Sequence, residues 1–292
     1  MSDLSYALVT PARNEADYIG KTLESVARQT VLPVRWVIVS DGSTDATERL
    51  VAEYAASAPF IELVCLSQDR SRDFAAKVQA FNAGLARLSA VRYDVIGSLD
   101  ADISFGPDYF EFLLKKFSDS PRLGVAGTPF AEGGATYDYR YTNQNHVSGA
   151  CQLFRRECFE EIGGYVPIPG GGIDWVAVTT ARMKGWQTRT FTERISIHHR
   201  PMGTGASQGK VRALFRHGQK DFALGGHPAW QLFRGAYQMT RRPHLVGGAA
   251  LLTGYFWALL SGKRRVVSPE LARFNRSEQM ARLRSALVRR TA

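Results

Sequence analysis

The segment "VIGSLDADISF", residues 95–105, is an apolar run of strand length that stops at two aspartates, Asp100 and Asp102. Two carboxylates this close raise each other's pKa unless a cation lies between them. Hard cations such as Mg²⁺ or Mn²⁺ take carboxylate oxygens on one side and phosphate oxygens on the other. A turn or a helix cap is the alternative for so short a pattern. Its place at the end of an apolar strand favours a metal site beside a diphosphate.

The sequence before these aspartates predicts the kind of sheet to which the strand belongs. Apolar segments of strand length alternate with segments of helical period. The strand-like segments are "YALVT" (6–10), "RWVIVSD" (35–41), "IELVCLS" (61–67) and "DVIGSLDAD" (94–102). Such an alternation predicts a mostly parallel sheet with flanking helices. The predicted fold class is therefore α/β.

Polar segments follow three of these strands: "PARNEAD" (11–17), "DGSTD" (41–45) and the Asp-Ala-Asp of residues 100–102. Ligands of open α/β sheets bind outside the carboxyl ends of the strands, so we expect the three loops to meet at one crevice. We also expect a turn and a helix cap in the second loop, with Gly42 at positive φ and Ser43 or Thr44 capping. Asp41 precedes this cap and is not needed for it.

Length and composition are those of a globular protein and allow an enzyme. The chain has 292 residues, of which 45% are hydrophobic and 22% charged, enough for one large domain with or without an appendage. Its three cysteines, Cys65, Cys151 and Cys158, form no CxxC pair, and the start of the sequence has no signal-peptide pattern. These features predict the reducing cytoplasm and no structural zinc.

The net charge of +10 is unevenly distributed. Residues 1–199 hold 20 Lys and Arg against 24 Asp and Glu, whereas residues 200–292 hold 17 against 3. The composition changes near residue 200, so we expect a catalytic domain over 1–200 and a basic, partly apolar helical appendage over 201–292. A solvated face, an anionic membrane surface and nucleic acid are the alternative explanations of the basic region.

Six motifs follow one another in a characteristic order. They are "VTPARNEADYIGKTLESVARQT", "WVIVSDGSTDAT", "AFNAGL", "SLDADI", "VSGACQLFRRECFEEIGGY" and "GIDWVAVTTARMKGW". Over about residues 5–200 this series resembles the family 2 glycosyltransferases with a GT-A fold, of the bacterial polysaccharide and glycolipid type. The resemblance implies a Rossmann-like central sheet. It also implies an inverting transfer of a sugar from a nucleotide-diphosphate sugar to an acceptor hydroxyl, assisted by Mg²⁺ or Mn²⁺.

The resemblance assigns roles to individual residues of these motifs. The residues implied to bind the nucleotide are Pro11, Glu15, Asp41, Lys77 and Asp100. Asp102 is implied to be a direct metal ligand. The residues implied to approach the donor sugar and the acceptor are Ser148, Gly149 and Ala150.

The general base is implied by the last motif. Members of the family usually carry Glu-Asp at the start of a helix after a glycine-rich loop, and this chain has Ile173-Asp174 there. The first acid is absent, and Asp174, at the position usually assigned as the base, is retained. A general base must reach the acceptor hydroxyl. The alternative for Asp174 is a plain helix N-cap.

Two histidines, His198 and His199, lie at a strand end where some members of the family supply a metal ligand. Adjacent strand residues point to opposite sides, so only one of the two can face the site. We expect that residue to be His199. The following "RPMGTG" is then expected to be a mobile loop that closes over the diphosphate.

The C-terminal region contains an uncharged run, "LVGGAALLTGYFWALLSG" (245–262), at the lower length limit for spanning a bilayer. Its glycines weaken it as a helix. In the final segment an apolar stripe of Leu271, Phe274, Leu283 and Leu287 among arginines suits a membrane interface. Spanning, lying on the membrane and packing within the fold are the three alternatives. We expect peripheral attachment to the anionic inner face of the membrane.

The predicted function is therefore an inverting glycosyltransferase at the cytoplasmic membrane face, with a lipid-linked or growing saccharide as acceptor. A sugar-1-phosphate nucleotidyltransferase is the alternative, although "PARNEAD" lacks the glycine-rich loop usual in such enzymes. A nucleic-acid-binding protein would leave the ordered acidic motifs unexplained, so nucleic acid is not an expected partner. A nicotinamide enzyme is disfavoured because no G-x-G-x-x-G follows the first strand.

Overall fold

The computed structural model describes residues 4–67, 74–133, 143–168, 170–200 and 209–291. The chain divides into two compact units, Met1–Met202 and Gly203–Ala292. The loop predicted to close over the diphosphate lies outside the described residues from Pro201 onward.

The first unit is built from ten strands and six helices among its described residues. The strands are β1 (Tyr6–Ala12), β2 (Arg35–Asp41), β3 (Ile61–Leu66), β4 (Val95–Leu99), β5 (Ile103–Ser104), β6 (Leu123–Gly127), β7 (Phe130–Ala131), β8 (Cys151–Arg155), β9 (Gln187–Thr190) and β10 (Ser196–His198). The helices are α1 (Ile19–Ala27), α2 (Thr47–Ser57), α3 (Phe74–Arg87), α4 (Tyr109–Asp119), α5 (Arg156–Glu161) and α6 (Ile173–Met183).

Seven of the strands form the central sheet, in the order β3-β2-β1-β4-β8-β6-β9. The strands β3, β2, β1 and β4 run parallel, β8 is antiparallel to both β4 and β6, and β9 is parallel to β6. The α/β prediction with a mostly parallel sheet is thus confirmed. A small second sheet, in the order β5-β10-β7, carries the end of β10 alongside Ile103.

Two helices, α1 and α3, show how the sequence determines which side of a helix is buried. In α1 the residues Ile19, Leu23 and Val26, spaced by four and three, are all fully buried. Helix α3 lies directly on the sheet at Gly84, where an added Cβ would come within 2.6 Å of Val9 Cγ1. A side chain at this glycine would therefore push away the helix that carries Lys77.

The second unit has four helices among residues 209–291: α7 (Lys210–Ala223), α8 (Pro228–Met239), α9 (Val246–Leu260) and α10 (Pro269–Thr291). The glycines of α9 are packing positions, contrary to the expectation that they weaken the helix. An added Cβ at Gly254 would lie 1.9 Å from the carbonyl oxygen of Phe215 in α7, and one at Gly248 would lie 2.4 Å from that of Gly235 in α8.

The uncharged run of residues 245–262 forms the 15-residue helix α9. In the parts of the chain that the structure describes, no helix has both the length and the apolar character that crossing a membrane requires. The predicted interfacial stripe of α10 is wrong at Leu271, which is buried within the unit. Phe274 and Leu283 are half-buried, and the side chain of Leu287 lies outside the described residues.

Candidate active site

The loops after β1 and β2 are joined by hydrogen bonds. The Asn14 side chain accepts a bond from the Thr44 amide at 2.8 Å, and the Asn14 amide donates to Ser43 Oγ at 3.2 Å. The Glu15 amide donates to Thr47 Oγ1 at 2.8 Å. Asn14 has a φ of 55°, which an asparagine tolerates better than most residues. The two loops therefore form one rim at the carboxyl ends of the strands.

The expected helix cap in the second loop is only partly correct. Gly42 has a φ of 66°, as predicted. Neither Ser43 nor Thr44 caps α2, which begins at Thr47. The Asp45 carboxylate accepts the Thr47 amide at 3.0 Å instead. The sequence offered several residues able to accept this bond, and only the helix start decides among them.

Asp41 is not used by the cap and is buried in the rim. Its Oδ2 atom lies 3.6 Å from Arg13 Nη1, while Oδ1 accepts no hydrogen bond from the described residues. Because an unsatisfied buried carboxylate oxygen is costly, Oδ1 is a ready acceptor for a donor group on a ligand.

The three loops enclose a cavity of about 210 Å³. Its lining residues are Pro11, Ala12, Arg13, Glu15, Asp41, Ala76, Lys77, Ala80, Asp100, Ala101 and Asp102. All five residues assigned to the nucleotide, together with Asp102, thus surround one space. The expected convergence follows because β1, β2 and β4 are parallel neighbours, which brings their carboxyl ends to the same edge.

Lys77 and Asp100 form an ion pair in this cavity, with Nζ 2.6 Å from Oδ1. Burial acts to lower the pKa of Lys77, but the charge and hydrogen bond of Asp100, with Asp174 and Asp102 behind it, raise it overall. Lys77 is therefore a cation at neutral pH. The positive charge of Lys77 therefore neutralises part of the negative charge of Asp100.

Asp102 has a different environment from Asp100. Its Oδ2 atom lies 3.6 Å from both His198 Nε2 and Arg200 Nε, and its buried Oδ1 has no hydrogen-bond partner among the residues described. Burial and the neighbouring Asp100 charge raise the pKa of Asp102, against the pull of His198 and Arg200. A divalent cation fits this carboxylate because it would satisfy the open oxygen.

The protein groups supply only part of a metal coordination sphere. Within the described ranges no cluster of three or more His, Cys, Asp or Glu side chains is arranged to hold a metal ion. Mg²⁺ in phosphate-handling sites commonly uses one or two protein ligands, with substrate phosphates and water completing the sphere. Asp102 with one histidine suits that mode of binding.

The structure places His198, and not the expected His199, beside Asp102. His198, at the end of β10, places Nε2 toward Asp102 and Nδ1 3.8 Å from Glu132 Oε2. His199 points elsewhere, with Nε2 2.8 Å from Ser104 Oγ. The two rings do lie on opposite sides, as alternation requires. The pairing of β10 with β5 puts His198 on the side that faces the site.

Sequence reasoning missed Arg200. Its guanidinium donates to Glu15 Oε2 and lies 5.3 Å from the centre of the Tyr18 ring. Burial raises the pKa of Glu15 to about 7, with Arg200 opposing the shift and Asp102 and Asp100 adding to it. Arg200 stands at the start of "RPMGTG" and outside the six motifs, so its place after the histidine pair was the only sequence signal.

A second cavity, of about 320 Å³, adjoins the first through the shared residues Lys77 and Asp100. Its lining residues are Lys77, Val78, Phe81, Ser98, Asp100, Phe130, Ser148, Gly149, Ala150, Tyr165, Gly172, Ile173, Asp174 and His198. The three residues assigned to sugar and acceptor thus share a space with Asp174. The aromatic residues Phe81 and Tyr165, with ring centres 4.9 Å apart, were not anticipated as part of its wall.

Backbone pairing sets the position of the Ser148–Ala150 segment. The Asp100 amide donates to the Ala150 carbonyl at 2.9 Å, just beyond the β4–β8 pairing. The Gln152 side chain donates to the Val147 carbonyl at 2.7 Å. These bonds hold the segment beside the end of β4, which is where Asp100 and Asp102 emerge.

Asp174 is not the N-cap of its helix. That position belongs to Gly172, with a φ of 107°, and Asp174 lies in the first turn of α6. Its carboxylate lines the second cavity, with Oδ2 4.0 Å from His146 Nε2. Gly149 lies against it, since an added Cβ there would come within 3.0 Å of Asp174 Cβ. The carboxylate is therefore available for chemistry in the cavity.

Known proteins share this fold. The mannosyltransferase PcManGT from Pyrobaculum calidifontis, solved with GDP-Man and Mn²⁺, superposes with a TM-score of 0.57 at 18% identity over 97% of this chain and 80% of its own. TarS 1–349 from S. aureus, solved with UDP-GlcNAc, gives a TM-score of 0.56 at 11% identity over 93% and 78%. The expected GT-A fold is confirmed.

Two proteins of known name are similar to this chain in sequence. A 4,4'-diaponeurosporenoate glycosyltransferase of Staphylococcus aureus (strain bovine RF122 / ET3-1) is 28% identical over 55% of this chain and 46% of its own. A poly-beta-1,6-N-acetyl-D-glucosamine synthase of Staphylococcus epidermidis is 23% identical over 73% and 52%. The chain thus spans about half the length of these relatives.

The family itself follows from the match to a family model. Residues 7–167, more than half of the 292, match the model described as glycosyl transferase family 2. This range contains every site residue named for the two cavities except Gly172, Ile173, Asp174 and the segment from His198 to Arg200. The family expectation drawn from the six motifs is confirmed, and the chain belongs to glycosyl transferase family 2.

Proposed function

We propose that the protein is an inverting glycosyltransferase that moves a sugar from a nucleotide-diphosphate sugar to an acceptor hydroxyl. The observation that carries the proposal is the pair of adjoining cavities, one lined by the nucleotide-binding candidates and the other by Asp174. The shared residues Lys77 and Asp100 mark the boundary between them. A diphosphate at that boundary would hold its sugar in the second cavity.

The nucleotide end of the donor belongs in the first cavity. Asp41 offers its open oxygen, and Glu15 its carboxylate, to donor groups of the nucleoside. Pro11 forms part of the wall. Lys77 supplies positive charge to the diphosphate, and it can exchange its bond with Asp100 for one with a phosphate oxygen.

Mg²⁺ or Mn²⁺ would be held by Asp102 and His198, with His198 replacing the expected His199. When bound, the metal stabilises the negative charge that develops on the departing nucleoside diphosphate. The Mn²⁺ in the structure of the mannosyltransferase PcManGT supports this choice of ion. Arg200, near Asp102 Oδ2, adds a fixed positive charge from the protein.

Asp174 is the proposed general base. Its carboxylate takes the proton of the acceptor hydroxyl, whose oxygen attacks the anomeric carbon of the donor sugar as the bond to the diphosphate breaks. A single displacement of this kind inverts the anomeric configuration. The Ser148–Ala150 segment shapes the wall against which the sugar and the acceptor lie.

The proposed acceptor is a lipid-linked or growing saccharide. One relative supports a growing saccharide, since it is named a poly-beta-1,6-N-acetyl-D-glucosamine synthase. The relative named for 4,4'-diaponeurosporenoate acts on an acceptor that is not a saccharide. We further propose a cytoplasmic location. The three free thiols, Cys65, Cys151 and Cys158, are consistent with a reducing compartment.

Nucleotide binding tests the proposal directly. Purified protein is melted with UDP, GDP or dTDP, each with and without Mn²⁺, because a ligand that binds the native state raises the melting temperature. One nucleotide should raise it only when Mn²⁺ is present, and the Asp102→Ala variant should lose that shift while melting as cooperatively as the wild type. No shift with any nucleotide, or an undiminished shift in the variant, would contradict the metal assignment.

Product analysis separates this reaction from the alternative of nucleotidyl transfer. A glycosyltransferase releases the nucleoside diphosphate from its donor. A nucleotidyltransferase instead releases pyrophosphate from a nucleoside triphosphate. Release of pyrophosphate from a triphosphate and a sugar 1-phosphate would overturn the proposal.

A further inference from the structure

Helix α9 exposes an uncharged, mostly apolar face. The residues of this α9 outer face are Val246, Ala249, Thr253, Trp257 and Leu260. Their spacing of three and four places them on one side of a helix. Trp257 is 58% exposed and Leu260 84%. No residue of α9 carries a charge. An apolar side of this length is unusual on a surface that faces only water.

The orientation of this face is fixed by the opposite side of the helix. The buried residues of α9 are Gly247, Gly248, Leu251, Gly254, Tyr255 and Ala258. An added Cβ at Gly218 of α7 would lie only 2.0 Å from the Leu251 carbonyl oxygen, which shows how closely the helices approach. The Tyr255 hydroxyl donates to the Gly226 carbonyl at 2.8 Å. The helix cannot rotate to bury the outer face without breaking these contacts.

Positive charges lie at both ends of the face. Arg241 and Arg242 precede α9, and Lys263, Arg264 and Arg265 follow it, all of them exposed. Over residues 209–291 there are 16 Lys and Arg against 3 Asp and Glu. One of the three acids, Asp221, is paired with Arg234 at 2.5 Å. An apolar strip with a cationic cluster at each end is complementary to an anionic lipid surface.

We infer that the α9 outer face docks on an anionic membrane, with the helix lying parallel to the surface. A 15-residue helix is about 22 Å long, whereas the hydrocarbon core of a bilayer is about 30 Å thick. Trp257 and Leu260 would enter the interface while the flanking cations contact lipid headgroups. This assigns the peripheral attachment expected of the C-terminal region to α9 and not to the α10 stripe.

The inference is independent of the proposed reaction because lipid binding requires neither donor nor acceptor. The test is flotation of the full chain with vesicles of phosphatidylcholine alone or mixed with phosphatidylglycerol. The protein should float only with the mixed vesicles and should do so less at high salt. The Trp257→Ser/Leu260→Ser variant should bind roughly tenfold more weakly or worse, since two inserted apolar side chains are lost.

A control variant removes two other exposed apolar side chains, which lie in the first unit. Leu32 and Val34 in the first unit are 47% and 44% exposed, so the Leu32→Ser/Val34→Ser variant should bind vesicles like the wild type. The Lys263→Gln/Arg264→Gln/Arg265→Gln variant should lose most of the salt-sensitive binding. Thermal melting and nucleotide binding of each variant, compared with the wild type, establish that the fold is intact.

A second measurement reports insertion without disturbing the apolar face. Brominated phosphatidylglycerol quenches tryptophans that enter the bilayer, so it should quench wild-type fluorescence. The Trp257→Phe variant should bind equally well and lose most of that quenching. Binding with no difference in quenching would show that Trp257 does not enter the membrane and would overturn the inference.

Four further results would overturn it. One is a full chain that stays unbound to anionic vesicles at low salt, and another is equal binding by the Trp257→Ser/Leu260→Ser variant. The third is light scattering that shows a dimeric wild type and a monomeric Trp257→Ser/Leu260→Ser variant, with no vesicle binding by either. That result would assign the face to contact with a second copy of the chain. Retention of DNA or RNA on filters without vesicle flotation would likewise assign the cationic clusters to nucleic acid.

Discussion

The contact between Gly149 and Asp174 makes the proposed base sensitive to a single methyl group. In the Gly149→Ala variant the new Cβ would lie 3.0 Å from Asp174 Cβ and 3.3 Å from its Cγ. Restoring the 3.4 Å lower edge of ordinary contact requires a relative shift of about 0.4 Å. If a misplacement of about 1 Å costs about 10²-fold in rate, this shift costs roughly sixfold. We expect that loss in kcat.

The assay compares transfer kinetics with donor binding. Nucleotide affinity in the presence of Mn²⁺ should be unchanged, because the first cavity does not include Gly149. The Gly20→Ala variant is a matched control, since nothing lies within 4 Å of a Cβ added there. Full kcat in Gly149→Ala would refute the reasoning that Asp174 acts from this position. A loss of nucleotide binding would show that the substitution disturbs more than the base.

The other predictions concern Asp174 itself, the two adjacent histidines and Glu15. Asp174→Asn should keep donor binding and lose roughly 10²-fold or more in transfer, whereas full activity would remove Asp174 as the base. His198→Ala should weaken Mn²⁺-dependent nucleotide binding by roughly tenfold or more, and His199→Ala should not. Calorimetry showing the reverse would favour His199 as the metal ligand. Folding raises the pKa of Glu15 from 4.5 to about 7. The contribution of Glu15 to the free energy of unfolding is therefore complete below pH 4.5 and is lost as the pH rises through about 7. The unfolding free energy of the metal-free wild type should therefore fall over that range relative to Glu15→Gln, and parallel pH profiles would contradict this.

The sheet and the position of the crevice were predictable because both depend on short-range patterns. The segments at 6–10, 35–41 and 61–67 coincide with β1, β2 and β3 to within two residues at each end. Once neighbouring strands are parallel, their carboxyl ends must share an edge, so the acidic loops had to meet. The motif order then supplied the family, and the residues of the first cavity followed.

The histidine and Arg200 were not predictable because they depend on long-range pairing. Strand β10 has only three residues, and its register against β5 decides which histidine faces Asp102. The contact of Arg200 with Glu15 joins residues 185 positions apart. No local sequence pattern predicts either arrangement.

Helix α9 shows a different limit of sequence reasoning. Glycine lowers helix propensity by about 1 kcal/mol relative to alanine, so the glycines of residues 245–262 suggested a weak helix. In the structure they allow backbone contact with α7 and α8, and tertiary packing outweighs propensity. The same arrangement leaves the opposite face of α9 exposed, which an apolar sequence alone does not reveal.

The two aspartates after β4 raise the question of how like charges can be placed so close together. The structure separates them by giving each a different partner. Asp100 is bound by Lys77 at 2.6 Å, while Asp102 has only the looser approach of His198 and Arg200, at 3.6 Å each. One carboxylate is thus neutralised by the protein itself, and the other keeps an open oxygen. A bound cation would relieve the repulsion that remains, so the affinity for the metal and the affinity for the diphosphate should depend on each other.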